Sequence, residues 1–169
     1  MHSTSKTFRQ YFSLLIAVIA YFIFHEGAHL LLSLFYKVFE HIKFMGLGMQ
    51  IVIDKAALSE NQFILFNLGG VLATLALGYL LVIFIGQIVK ITSKLGKSVF
   101  YYITLTMLFS DCIYLSILSG FFGGGDMNGI ALLFPSVTFA KILFGVIGII
   151  NLFIFIKFVY PKYVHAFNK

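Results

Sequence analysis

The sequence predicts an all-α integral membrane protein with four transmembrane helices and a small strand-like loop after the first helix. Its 169 residues are 60% hydrophobic and only 11% charged, with a mean hydropathy of +1.01. A soluble domain carries about a quarter charged residues, because its surface faces water. Here the apolar residues form four long runs, and most charged residues lie at the ends of those runs. Composition therefore excludes a soluble enzyme and a disordered chain, and the single cysteine, Cys112, excludes a disulfide-stapled secreted module.

Each apolar run has roughly the 20 residues that a helix needs to cross the hydrocarbon core of a bilayer. The predicted spans are residues 11–36, 62–89, 99–119 and 138–160. The first follows a basic start but is too long for the core of a signal peptide, and no small-residue cleavage site follows it, so we expect a retained span. Because no internal repeat, low-complexity tract or linker divides the sequence, a single domain over residues 1–169 is the simplest architecture.

Positively charged residues predict which ends of the helices face the cytoplasm. They precede the first span, lie between the second and third spans, and follow the fourth: Lys6, Arg9, Lys90, Lys94, Lys97, Lys157, Lys162 and Lys169. With four spans these regions share one side, so we expect both termini in the cytoplasm of a multi-pass cell-membrane protein. The basic residues form no stripe with interleaved aromatic residues, which leaves nucleic-acid binding without support.

The loop after the first span contains a pattern typical of a half-buried strand. Every second residue from Leu47 to Ile53 is a large apolar one. A strand of this kind would lie against the helices or against the lipid interface. A plain interfacial loop is the alternative.

The first span contains the sequence His25-Glu26-Gly27-Ala28-His29, which is the pattern His-Glu-x-x-His. Residues four apart lie on one face of a helix, so both imidazoles can bind one ion. Zinc takes nitrogen ligands at about 2.0–2.1 Å in a tetrahedron, and a catalytic site leaves one position for water. Glu26 is close enough to accept a proton from that water without being a ligand. The pattern therefore predicts a catalytic zinc site.

The position of this motif inside an apolar helix strengthens the prediction. Two histidines and a carboxylate within a membrane cost several kcal/mol unless they are paired or bound to a partner. A polar cluster that holds helices together, or a proton relay, would meet the same requirement. Both are alternatives to metal binding.

A catalytic zinc site needs a third protein ligand, and the sequence offers three candidates. Asp126 lies in the glycine-rich segment 123–129, where the backbone can turn sharply and approach a metal closely. Its alternative role is the N-cap of a short helix that ends near Pro135. Asp111 in the third span is an alternative ligand, or a group that orients a ligand imidazole. His41, after the first span, is the remaining candidate, and we favour Asp126.

Depth along the helices is consistent with Asp126. At 1.5 Å per residue, His25 and His29 lie about 20–27 Å from the start of the first span, in its far half. The loop after the third span emerges on the same side, so Asp126 can reach the two histidines. Asp111 lies at comparable depth near the end of the third span, which keeps it as the alternative.

These residues resemble the site-2 protease family of intramembrane zinc metalloproteases and its small bacterial zincin-like relatives. The resemblance depends on the motif at 25–29 in a membrane helix and on the later glycine turn at Asp126. The segment 67–74, at the start of the second span, is similar to the small-residue helix start of that family. Gly70 stands where the family commonly has proline, and Thr74 stands where it commonly has asparagine.

The resemblance implies a zinc-dependent endopeptidase that hydrolyses a peptide bond in or near a membrane-spanning or membrane-bound substrate. His25, His29 and Asp126 would hold Zn²⁺, and Glu26 would be the catalytic base. Where the family typically has Asn-Pro-Asp-Gly, this chain has Asp-Met-Asn-Gly. Its asparagine, Asn128, is a candidate to bind the oxyanion or the substrate backbone, with a plain turn residue as the alternative.

The same resemblance implies that the strand-like segment offers an edge to an extended substrate. The expected partners are membrane lipid and a membrane-embedded or membrane-associated peptide, and the sequence is also compatible with a homo-oligomer. A non-hydrolytic zinc-binding protein with an immunity or regulatory role would need the same ligands without turnover. An ion or proton carrier would instead use His25, Glu26, Asp111 and Asp126 as a relay, although the internal repeats typical of transporters do not occur here.

Overall fold

The computed structural model describes residues 2–45, 48–121 and 124–168, and these residues are mainly helical. In chain order the elements are α1 (His2–Phe35), β1 (Phe39–Met45), β2 (Gly48–Ile53), α2 (Glu60–Ile83), α3 (Ile85–Ile88), α4 (Lys94–Ser116), α5 (Met127–Ile130), α6 (Val137–Ile154) and α7 (Tyr160–Asn168). A π-helical segment, Phe155–Val159, joins α6 to α7. Leu47 of the predicted strand and Gly123 of the predicted glycine turn lie outside the described residues.

Four helices are long and apolar enough to cross a membrane: Lys6–Phe35, Glu60–Ile83, Lys94–Ser116 and Val137–Asn168. The prediction of four long apolar helices is therefore confirmed. The first helix, α1, has 34 residues, which corresponds to about 51 Å at 1.5 Å per residue. A hydrocarbon core is roughly 30 Å thick, so part of α1 would extend beyond a bilayer that it crosses without a steep tilt.

Serine side chains set where three of these helices begin. Ser59, Ser93 and Ser136 each accept a hydrogen bond from a backbone N–H group in the first turn of the helix that follows. Such caps satisfy amide groups that have no partner within the helix. The apolar run of the third span begins only at residue 99, but the cap at Ser93 starts α4 at Lys94.

Two helix ends differ from the predicted ends of the spans. The helix α2 ends at Ile83, where Phe84 interrupts it before α3, whereas the predicted span continued to residue 89. The residues after Ile83 are still mainly apolar, so hydropathy does not reveal this break. The last helix continues to Asn168 instead of ending at residue 160, because Tyr163 and Ala166 are buried on one face of a segment that also contains lysine, histidine and asparagine.

A two-stranded antiparallel hairpin, formed by β1 and β2, follows α1. The strand predicted for residues 47–53 is present as β2. The sequence pattern does not predict its partner β1, because the register shifts between Phe39 and His41 and interrupts the alternation that identifies a strand. Ile51 of β2 is buried, and both strands contact α1. The hairpin therefore lies against the helix that carries the His-Glu-x-x-His motif.

The helix α4 lies at the centre of the bundle and contacts α1, α2 and α6. Polar side chains are buried between these helices, whereas large apolar side chains cover the outside. The buried polar residues include Ser13, His25, His29, Asn67, Thr74, Asp111 and Asn151. On the outside, Phe35 and Phe121 are 77% and 79% exposed. The buried residues also include two apolar clusters, but the large apolar side chains on the outside distinguish this surface from that of a soluble protein.

Asn151 connects three helices within this interior. It is fully buried, and its amide group donates a hydrogen bond to the carbonyl oxygen of Leu108 at 2.7 Å. Its Oδ1 accepts a hydrogen bond from the Tyr79 hydroxyl at 2.6 Å. These bonds join α6 to α4 and α2.

We expect Asn151→Ala to lower the free energy of unfolding by about 1–3 kcal/mol, because the Tyr79 hydroxyl loses its acceptor and a cavity forms. The measurement is the Tm of the purified protein in detergent. Asn61→Ala is the matched control, since Asn61 is exposed in the first turn of α2, and this variant should keep the Tm of the parent. Equal Tm values for the two variants would contradict the bridging role of Asn151.

Candidate metal centre

His25 and His29 lie one turn apart on α1 and face the interior of the bundle. Both are buried, with 6% and 3% of their surface exposed. Their Nε2 atoms are 3.2 Å apart, and the two rings meet edge to face. The four-residue spacing in an α-helix produces this arrangement.

Asp126 brings a carboxylate to the same two nitrogen atoms from the segment between α4 and α6. Its Oδ2 lies 3.0 Å from His25 Nε2, and its Oδ1 lies 3.5 Å from His29 Nε2. Asp126 occupies the N-cap position of α5, yet its side chain makes no capping hydrogen bond to that helix. Its carboxylate therefore contacts the histidines and does not cap the helix.

Two glycines shape the turn that delivers Asp126. Gly124 and Gly125 have φ angles of +88° and +47°, in the left-handed region that side chains rarely adopt. A Cβ atom on Gly125 would also collide with the Tyr114 hydroxyl. Both of these positions in the glycine segment therefore require glycine.

The partners of the two Nδ1 atoms determine what the Nε2 atoms can do. His29 Nδ1 lies 2.9 Å from the carbonyl oxygen of Phe66, which can only accept, so this Nδ1 carries a proton. His25 Nδ1 lies 3.2 Å from Asp111 Oδ1, and this electrostatic contact favours a proton on Nδ1 there as well. Each neutral imidazole then presents a lone pair at Nε2. Two lone pairs and a carboxylate meet at one point, and a cation stabilises such an arrangement.

The donor atoms of His25, His29 and Asp126 could hold a metal ion, because they all lie within 4.8 Å of one another. Tetrahedral zinc with bonds of about 2.0–2.1 Å places its ligand atoms about 3.3–3.4 Å apart. The two Nε2 atoms are 3.2 Å apart, and Oδ2 and Oδ1 of Asp126 lie 3.0 and 3.5 Å from His25 and His29 respectively, on both sides of that value. Two imidazoles and one carboxylate also form a donor set that catalytic zinc uses. The residues therefore fit zinc, and the identity of the ion stays a prediction.

The carboxylate of Asp126 is held in its ionised form. Burial alone would raise the pKa of Asp126, but when His25 and His29 carry protons on Nε2, their hydrogen bonds and positive charge hold this pKa well below its usual range. A cation that replaced those protons would leave both imidazoles neutral and would keep the carboxylate ionised in the same way.

Asp111 lies on the other side of the His25 ring, away from the converging Nε2 atoms. It is 1% exposed, and its carboxylate accepts hydrogen bonds from the Tyr21 hydroxyl at 2.6 Å and from the Thr74 hydroxyl. The structure thus places Asp111 outside the group of three that could hold an ion. A carboxylate against Nδ1 fixes the orientation of an imidazole and makes its other nitrogen more basic.

Gly70 allows α2 to approach both imidazoles closely. A Cβ atom at this position would lie 2.6 Å from His29 Nε2 and 2.7 Å from His25 Nε2. Contacts this short do not occur, so any side chain at residue 70 would displace the imidazoles.

A cleft of about 1210 Å³ opens beside these residues, and β2 forms part of its wall. Glu26 lines the cleft and accepts a hydrogen bond from the backbone N–H group of Ile51 at 3.3 Å. Asn128 and His41 line the same cleft, and both are exposed. The structure therefore brings Glu26 and Asn128 next to the metal-binding group. His41 borders the cleft without belonging to that group.

Sequence reasoning did not identify several groups that hold the centre together. They are the Tyr21 and Thr74 hydroxyls on Asp111, the Phe66 carbonyl on His29 and the Ile51 amide on Glu26. The sequence could have identified Tyr21 as a neighbour of His25, because it lies one turn before His25 on the same face of α1. The two backbone groups have no sequence signal, since every residue carries them.

We expect Gly70→Ala to weaken zinc binding by about 10- to 100-fold, the range found when the support of metal ligands is disturbed. Gly27→Ala is the matched control, because a Cβ atom at Gly27 meets nothing within 4 Å although this residue lies between the two histidines. Competition with a chelator of known affinity, followed by metal analysis, measures the difference. Equal zinc affinity in the two variants would show that α2 does not confine the site.

Asp111→Asn should also weaken zinc binding by about 10- to 100-fold, because the amide cannot match the charge of the carboxylate at His25 Nδ1. At saturating zinc this variant should still bind one ion per chain, whereas Asp126→Ala should not. Ser116→Ala, on the same helix, is the control, since its hydroxyl bonds only the Cys112 carbonyl among the hydrogen bonds of the described residues. A complete loss of stoichiometric zinc in Asp111→Asn would identify Asp111 as a direct ligand.

Comparison of this chain with protein-family models, with curated proteins and with solved structures finds no match. The resemblance to the site-2 protease family therefore depends on the motif residues of this chain alone. What the site can do follows from its own geometry.

Proposed function

We propose that this chain is a zinc-dependent membrane endopeptidase that resembles the site-2 proteases and hydrolyses a peptide bond in or near a membrane-embedded substrate. One observation carries the proposal. Two imidazole nitrogens and a carboxylate converge at a single point, and a second carboxylate, that of Glu26, faces the adjoining cleft. A merely structural zinc site is closed by four protein ligands, whereas the described residues supply a group of three, which would leave one position for water or substrate.

Embedding in a bilayer is part of the proposal, and the distribution of side chains supports it. The outside of the bundle carries large exposed apolar residues, while histidine, aspartate and asparagine lie inside. In water such a surface would aggregate. His25 and His29 precede the end of α1 at Phe35 by about 15 and 9 Å at 1.5 Å per residue. If that end of α1 marks a membrane face, peptide hydrolysis takes place inside the hydrocarbon boundary.

Each residue of the site would have its own role in hydrolysis. His25, His29 and Asp126 would hold zinc, which when bound supplies a Lewis acid that polarises a peptide carbonyl and makes water more acidic. Glu26 accepts a proton from the attacking water and then donates a proton to the leaving amine. Asn128, which lines the cleft, would donate a hydrogen bond to the oxyanion or to the substrate backbone.

The hairpin supports binding of an extended peptide. Among the described residues β2 pairs with β1 along one edge only, and its other edge faces α1, where the Ile51 amide bonds Glu26. An unpaired edge offers backbone groups to a further strand. The carbonyl groups of a helical substrate are occupied by internal hydrogen bonds, so the substrate must unwind before it can pair there.

A non-hydrolytic zinc-binding protein would use the same three ligands. A cleavage assay is therefore needed to distinguish the two functions. We expect Glu26→Gln to reduce cleavage by about 10²–10⁴-fold, because the amide cannot accept the proton of water. Zinc content should stay near that of the parent, since Glu26 lies outside the metal-binding group. The assay uses proteoliposomes that contain a set of synthetic single-span peptides, with products identified by mass spectrometry.

Glu60→Gln is the matched control, because Glu60 is an exposed acidic residue in the first turn of α2, and this variant should cleave like the parent. His29→Ala should lose both zinc and cleavage. Zinc-loaded parent protein that cleaves none of the peptides would favour the non-hydrolytic function. A purified protein without stoichiometric zinc would favour the proton relay instead.

A further inference from the structure

A second cavity, the terminal cavity, lies at the opposite end of the bundle from the candidate metal centre. It has a volume of about 470 Å³, within the usual size range of ligand sites. The starts of α1 and α4 and the last helix, α7, form its walls. Its lining includes the basic residues Lys6, Arg9 and Lys94 and the tyrosines Tyr101, Tyr160 and Tyr163.

The charge around the terminal cavity is of one sign. The acidic residues of the chain, six in all, lie elsewhere: Glu26, Glu40, Asp54, Glu60, Asp111 and Asp126. Among the described residues no carboxylate forms an ion pair with Lys6, Arg9 or Lys94. A cavity lined by several positive charges, with no carboxylate of the described residues paired to them, attracts an anion.

One buried polar atom beside this cavity lacks a partner among the described residues. It is Arg9 Nε, whereas the hydroxyl of Tyr163, a residue only 1% exposed, lies beside Thr104. Lys97 is 8% exposed and donates a hydrogen bond to the carbonyl oxygen of Ala166 at 2.8 Å. A ring of Phe167 lies between these cations, 5.6 Å from Arg9 and 5.8 Å from Lys97. Buried donors without a protein partner are rare in native proteins, and an ordered water or ion commonly satisfies them.

The rule that places basic residues at cytoplasmic helix ends explains the charges but not their arrangement. That rule requires positive charges near the membrane surface, where they can remain in water. It does not require a concave site that three basic residues and several tyrosines line together. The arrangement is instead that of a basic pocket between transmembrane helices, which typically binds an anionic lipid headgroup.

We propose that the terminal cavity binds the phosphodiester headgroup of an anionic phospholipid. The phosphate accepts hydrogen bonds from Arg9 and Lys94, and the tyrosines bind the polar groups next to it. Lipid is favoured over a soluble anion because Tyr160 and Val164, which line the cavity, are 51% and 39% exposed. These side chains offer the acyl chains an apolar surface directly beside the headgroup. The proposal is independent of the metal centre.

The test titrates the purified protein in detergent with short-chain phosphatidylglycerol and follows the Tm. We expect a saturable rise in Tm for the parent, and no rise with the same concentrations of short-chain phosphatidylcholine or of inorganic phosphate. Arg9→Gln and Lys94→Gln should each raise the half-saturating concentration about fivefold, the usual effect of one basic residue at an anionic lipid surface. Both variants should keep the zinc content of the parent.

Lys162→Gln is the matched control. It removes one positive charge from the same end of the bundle, but Lys162 does not line the cavity. It should bind phosphatidylglycerol like the parent.

If all three variants weaken binding equally, the effect is diffuse surface charge and the proposal is wrong. If inorganic phosphate raises the Tm as much as the lipid does, the cavity binds a soluble anion and the lipid assignment is overturned. Lys94 is exposed on the first turn of α4, so Lys94→Gln keeps the comparison valid should Arg9→Gln not fold.

Discussion

The carboxylate of Asp111 lies where α1, α2 and α4 meet, and a charged group at that depth must be surrounded by donors. Tyr21 and His25 approach it from α1, and Thr74 approaches it from α2. These contacts fix the rotation of α1 and α2 relative to α4. The rest of the candidate centre depends on that rotation, because it also decides where His29 points.

Once α1 is fixed in this way, the remaining parts of the centre have little freedom. Gly70 of α2 lies against both imidazoles, so the two helices cannot move closer together. The glycine turn before Asp126 then closes the third side, with its backbone held in a conformation that other residues rarely adopt. The fourth side is the cleft, where the Ile51 amide restrains Glu26. Rigid support on three sides and access on one is the arrangement expected of a reactive metal centre.

Sequence reasoning succeeded where the geometry is local. The spacing of His25 and His29 places both rings on one face of a helix whatever the fold, and the glycines before Asp126 identify a sharp turn. Contacts between distant segments leave no such signal: Thr74 and Asp111 are 37 residues apart, and either could have faced another helix. The strand β1 and the break after α2 were not predicted for a related reason. Hydropathy records whether a residue is apolar, and not which backbone hydrogen bonds it makes.

The π-helical segment between α6 and α7 has a consequence for the whole length of the fourth long helix. Four of its buried residues, Asn151, Phe155, Val159 and Tyr163, recur at a constant interval of four. In a regular α-helix four residues rotate about 40° past a full turn, so three such steps would carry the last residue about 120° away from the first. A π-helix, whose hydrogen bonds span one residue more, turns less per residue and cancels part of this drift. One continuous seam can therefore run from Asn151, in the interior beside α4, to Tyr163 at the basic end of the bundle.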